Sequence, residues 1–123
     1  IPSYQGTCAA ATRRFAEQHP DRLIRYIQGY VEATQWCFAK KNRRDCLDVL
    51  ARHNQIDGPA AETTLHALLD PEHGLYQKAD VNMSGLRAAL ELRAELGYLV
   101  RPVPPVGQYV DLSSYRKAMI TGA

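Results

Sequence analysis

Apolar residues return along this chain at helical spacing, in blocks separated by proline, glycine and helix-capping side chains. The clearest block follows Pro20: Leu23, Ile27, Tyr30, Val31, Thr34 and Phe38 share one face of a helix expected over 20–39. Asp21 at its start and Lys40 and Lys41 beyond its end suit the helix dipole. The far side holds Arg25, Gln28, Glu32 and, out of pattern, Trp36, and a large aromatic there implies that both faces are covered. Upstream, residues 1–6 read as extended chain around Pro2 and Gly6. Thr7 then caps a helix expected over 8–18, striped by Cys8, Ala11, Thr12 and Phe15.

Downstream the same logic gives four more segments. Asn42 caps a helix over 43–54 with Cys46, Val49, Leu50 and His53 on one face. Asp57 caps the next, over 58–69, burying Ala61, Leu65, Leu68 and Leu69, and Asp70 to Gly74 form a loop. A fifth helix starts at Asn82 or Ser84 and ends near Leu96, where Gly97 suits a left-handed terminus. Its polar stripe of Arg87, Glu91 and Glu95 is narrow, so this helix is expected to be largely buried. Residues 101–109 are too rich in proline for helix and predict an extended strap, after which Asp111 caps a last helix over 112–120. The expected fold class is mainly α: about five to six helices, an extended N-terminal segment and a Pro-rich strap, in a single helical domain over 1–123.

The 123 residues suffice for one modest core, and 46% hydrophobic with 23% charged residues is an ordinary globular balance. A net charge of +2 is too weak for a dedicated nucleic-acid binder, and no apolar run is long enough to span a membrane. No signal peptide is visible, and the chain opens without Met, as a processed or excised piece would.

The three cysteines, Cys8, Cys37 and Cys46, contain no C-x-x-C pair, which excludes a dense disulfide framework and a standard zinc site. They read as small buried hydrophobes; a disulfide between Cys37 and Cys46, which flank a short corner and could meet, is the lesser alternative.

Chemistry-bearing motifs are sparse. His19, His53, His66 and His73 lack metal-ligand spacing, and His53, on an apolar face, reads as a core histidine. There is no nucleophile elbow, phosphate loop or dinucleotide fingerprint, and Arg87 and Glu91 at i,i+4 read as a solvated pair. No enzyme activity, metal or cofactor is therefore expected. Lys40-Lys41-Asn42-Arg43-Arg44 reads as a solvated basic corner or an anion contact. Residues 47–69 imitate a helix-turn-helix around Gly58, but the second helix offers Glu62, Thr63, Thr64 and His66 and no Arg or Lys, so no nucleic-acid partner is expected.

Taken in order, these segments resemble something specific. Tyr4-Gln5-Gly6, a helix with Arg14, then His19-Pro20-Asp21 opening a long helix through Tyr30-Val31 to Trp36 make up the first part. Asn42-Arg43, Leu47 to Leu50, Ile56-Asp57, Gly85-Leu86, and Asp111-Leu112-Ser113 with Tyr115 complete it. Together they resemble the C-terminal third of bilobed solute-binding proteins of ABC importers of the sulfonate, nitrate and thiamine-precursor type. Cys37, Cys46 and Gly29 depart from that pattern.

The resemblance implies a fragment of an α/β bilobed binding protein whose helices pack on a sheet outside this chain. It further implies a periplasmic or membrane-anchored extracellular parent, a small anionic or heteroaromatic solute, and an ABC permease as partner. Tyr4, Gln5, Gly6 and Thr7 are the candidate ligand-binding residues, where a helix start offers free N–H groups; a plain strand-to-helix connection is the competing reading. Loss of the sheet predicts a homo-oligomer of the isolated chain, with exchange of helices as one form of it. The alternative is a stand-alone helical interaction or helix-turn-helix regulatory module.

Overall fold

Capping chemistry sets the start of most elements in the computed structural model, which describes residues 5–121. Six α-helices occur among the described residues: α1 (Arg13–Gln18), α2 (Pro20–Phe38), α3 (Arg43–Asn54), α4 (Gly58–Leu68), α5 (Met83–Glu95) and α6 (Ser113–Thr121). Single 3-10 turns occupy Lys40–Asn42 and Val106–Gln108, and the described residues contain no strand. The protein is thus mainly α. The chain divides into two compact units, one formed by 1–28 with 81–123 and the other by 29–80.

In the first unit, α1 is shorter than the sequence predicts. It starts at Arg13, where the Thr12 hydroxyl accepts from the Phe15 N–H at 3.1 Å, and Thr7 caps nothing. Residues 8–12 are all exposed, so an added helical turn would have no apolar burial to offset its ordering entropy. Asn82 caps α5 by accepting from the Gly85 N–H at 2.8 Å. At the far end Gly97 takes φ +80°, with Tyr98 N–H donating to the Arg93 carbonyl and Gly97 N–H to Ala94. That is a Schellman terminus, and the Arg93 guanidinium lies 5.7 Å over the Tyr98 ring.

Helix α5 is less covered than expected: only Gly85 and Leu90 are buried, while Leu86, Ala88, Ala89 and Leu92 are half-buried. The proline-rich strap runs to the turn at Val106–Gln108, which packs against α5. Asp111 accepts from the Ser113 N–H at 2.8 Å and starts α6 one residue later than predicted. Gln28 ties α2 to α6 by donating to the Ala118 carbonyl at 3.3 Å and to the Thr121 hydroxyl at 2.9 Å.

In the second unit, α3 packs against α4. The core there consists of Val31, Thr34, Cys46, Ala61 and Leu65 with the buried amide of Asn42. Asp57 caps α4 by accepting from Ala60 N–H at 2.8 Å. Asn42 sits where predicted, directly before α3, but its side chain does not cap. Its Nδ2 donates instead to the Trp36 carbonyl at 2.8 Å, closing the corner on itself.

The face of α3 is rotated from the expected one. Cys46, Leu47, Leu50 and Ala51 are the covered or half-covered residues, whereas Val49 and His53 are exposed. His53 is therefore not a core histidine. Trp36 is 40% exposed, so the far side of α2 is open here. The cysteines also differ from expectation: Cys46 is buried, Cys37 half-buried and Cys8 exposed, and all three are unbonded thiols.

Candidate functional site

The N-terminal residues singled out by the sequence are Tyr4, Gln5, Gly6 and Thr7. Tyr4 lies outside the described residues. Gln5 has both ends of its amide committed to backbone: Nε2 donates to the Thr7 carbonyl at 2.5 Å and Oε1 accepts from the Asn82 N–H at 2.8 Å. It thereby holds the N-terminal segment against the start of α5. Gly6 and Thr7 are exposed. The helix start expected beside them lies at Arg13, so the free N–H groups that were to meet an anion are displaced from Gln5 to Thr7. What the structure brings together is Gln5, Thr7 and Asn82, joined by backbone hydrogen bonds. The role of Asn82 as the landing point of Gln5 was not visible in sequence, because 77 residues separate them.

A shallow cleft of about 170 Å³ lies between α5 and the strap, lined by Arg87, Glu91, Val103, Pro104, Pro105 and Val106. Its charge pattern also departs from prediction. Glu91 pairs with Arg101, whose Nη1 donates to Glu91 Oε2 at 3.1 Å, rather than with Arg87 on its own helix. The strap thus carries its own basic anchor onto α5. Both partners are about half exposed, which limits the pair's energetic weight to well under about 1 kcal/mol.

The helix-turn-helix imitation is realised in α3 and α4. Its turn contains Gln55 in a left-handed conformation, with Ile56 N–H donating to the Ala51 carbonyl at 3.1 Å. The second helix presents Glu62, Thr63 and His66 as exposed residues. Arg43 donates to the Glu62 carboxylate, and the Thr63 and Thr64 hydroxyls donate back to the carbonyls of Pro59 and Ala60. A phosphate backbone would meet an acidic and self-satisfied surface there.

Two unbonded thiols flank the α2–α3 corner, Cys37 half-buried in the last turn of α2 and Cys46 buried in the first turn of α3. Burial first, then the neighbourhood of Cys37, pushes the Cys46 thiol up to about 11. Among the described residues no group of three or more His, Cys, Asp or Glu side chains is placed to hold a metal ion. No helix among the described residues is long and apolar enough to cross a membrane. No known protein family, no curated protein and no solved structure matches this chain.

Proposed function

We propose that this chain is the C-terminal helical portion of a solute-binding component of a bacterial ABC importer. In the parent it would help two lobes close on a small anionic or heteroaromatic solute in the periplasm and deliver it to a membrane permease, with no covalent chemistry. The observation that carries this reading is the imbalance between buried and exposed apolar side chains. Six apolar residues are buried among those described, and none is a large side chain fully enclosed. Against them stand Tyr26 at 59% exposure, Leu96 at 62%, Tyr98 at 71% and Val100 at 84%. Single exposed apolar residues are ordinary, but a small core beside so many is what helices look like when their covering layer belongs to another part of the parent.

The order of elements supports the same reading. The long helix opened by His19-Pro20-Asp21, the Ile56-Asp57 corner and the Asp111-Leu112-Ser113 start of the last helix all lie at element boundaries.

The test is the full reading frame around this chain and the protein it encodes. The expected frame adds a signal peptide and roughly 200 residues of alternating strand and helix upstream. The purified parent is then screened by thermal shift against sulfonates, nitrate, pyrimidines and aromatic acids. A binder at 100 times its Kd adds about 2.7 kcal/mol to stability, while the isolated chain shows no shift. A frame no longer than this chain would overturn the proposal. It would favour a stand-alone helical interaction module, which the same exposed apolar residues suit.

A further inference from the structure

The corner between α2 and α3 gathers most of the positive charge of its unit. Residues 29–80 contain six Lys and Arg, and four of them, Lys40, Lys41, Arg43 and Arg44, fall within five positions. Eight Asp and Glu are spread over the same stretch. The backbone of the corner is tied down: Ala39 N–H donates to the Trp36 carbonyl at 3.2 Å, Asn42 N–H to that of Ala39 at 2.9 Å, and the buried Asn42 amide returns to Trp36 at 2.8 Å. These bonds hold the basic run against the end of α2 that carries Trp36. Asn42 turns inward, while Lys40, Lys41, Arg43 and Arg44 are all exposed. Arg43 pairs with Glu62, but Lys40, Lys41 and Arg44 have no ion-pair partner among the described residues. Trp36 is 40% exposed, and its indole N–H has no hydrogen-bond acceptor among them either.

We propose that this corner docks the protein peripherally on an anionic lipid surface, with the Trp36 indole at the level of the headgroups and Lys40, Lys41 and Arg44 over their phosphates. An indole has an apolar body and a polar N–H, the combination that gathers at a membrane–water interface. The unpaired ammonium and guanidinium groups beside it are drawn to the negative potential of such a surface, an attraction that decays within a Debye length.

Charge favours the lipid over a nucleic acid. A nucleic-acid strand needs a basic track several phosphates long. Here the run ends at once in Asp45 and Asp48, both exposed on α3, so it forms a point anchor. Attachment is reversible, because one ring and three charges bury far less apolar surface than an inserted helix. Docking at this corner does not depend on the importer reading.

Trp36 is the chain's single tryptophan, so its emission reports on the corner alone. The full chain is titrated with vesicles of phosphatidylcholine mixed with phosphatidylglycerol, and with vesicles of phosphatidylcholine only, at about 0.1 M salt, where the Debye length is about 10 Å. The expected result is a shift of emission to shorter wavelength with the anionic vesicles only, reversed on raising salt to about 1 M, with co-sedimentation of the protein following the same curve. Lys41→Gln should weaken binding about fivefold, and Lys40→Gln with Lys41→Gln about 30-fold, while circular dichroism stays unchanged. Arg52→Gln removes the same charge from an exposed site about 12 Å further along α3 and should change binding by less than about twofold. Co-sedimentation without any change in Trp36 emission, equal binding to the neutral vesicles, or equal losses from Lys41→Gln and Arg52→Gln would overturn the proposal. So would an emission change with single-stranded DNA at phosphate concentrations where the anionic vesicles produce none.

Discussion

Gln55 and Gly74 occupy backbone positions with opposite demands. Gln55 ends α3 at φ 54° and ψ 43°, a conformation that costs an L-residue about 1 kcal/mol and glycine almost nothing. Gln55→Gly is expected to stabilise the protein by about 0.5–1 kcal/mol in urea unfolding. At Gly74 an added Cβ would lie 2.5 Å from the Leu68 carbonyl oxygen and 2.6 Å from that of Asp70. Both oxygens already accept backbone hydrogen bonds, from Leu75 and Gly74 respectively, and cannot retreat. Gly74→Ala should therefore cost about 2–3 kcal/mol by the same measurement.

Asp70 offers a pH signature at this scale. The backbone N–H of His73, then that of Glu72, hold its carboxyl below the usual value of 3.8. A lowered folded pKa contributes stability above 3.8, and that stability is lost as pH falls through the folded value. The stability difference between wild type and Asp70→Asn should thus narrow on acidification below pH 4, as followed by urea midpoints. Equal differences at pH 6 and pH 2.5 would contradict this.

At the scale of elements, caps explain why the helices begin where they do. Asp57→Ala leaves the Ala60 N–H without its acceptor and should cost about 1 kcal/mol, mostly as fraying of α4 in hydrogen exchange. Gly29 stands in the interior of α2, is exposed, and has no neighbour within 4 Å of an added Cβ. Gly29→Ala is expected to gain up to about 1 kcal/mol from helix propensity alone; a loss on thermal melting would show that the site needs glycine for another reason.

Most helix limits were legible because caps, prolines and terminal glycines act on their immediate neighbours. Asp57, Asn82, Pro20 and Gly97 do what their local chemistry demands. Thr7 failed as a start because Thr12 offers the same chemistry five residues on, and nothing packs on residues 8–12 to favour the longer helix. The candidate site was less legible. Gln5 was singled out as a solute contact, and its amide is occupied by two backbone groups, one of them far along the chain.

For the whole molecule, the governing quantity is exposed apolar surface. The isolated chain is expected to self-associate, with a mass by light scattering that rises with concentration. Leu96→Glu with Val100→Glu should suppress that association while leaving the thermal midpoint of the protomer within about 2 °C, since both side chains are exposed there. A chain that stays monomeric at high concentration would remove the main support for a missing covering layer.

Local chemistry written into the sequence determined the mainly helical class, the order of the segments and nearly all their ends. The rotation of α3 onto Leu47 and Ala51, the diversion of Asn42 to Trp36 and the burial of Cys46 while Cys8 stays exposed were decided by tertiary structure. So were the bond from Gln5 to Asn82 and the pairing of Glu91 with Arg101. A cap needs only its own next three residues. Burial, and the choice between two available partners, depend on which surfaces the folded chain brings together.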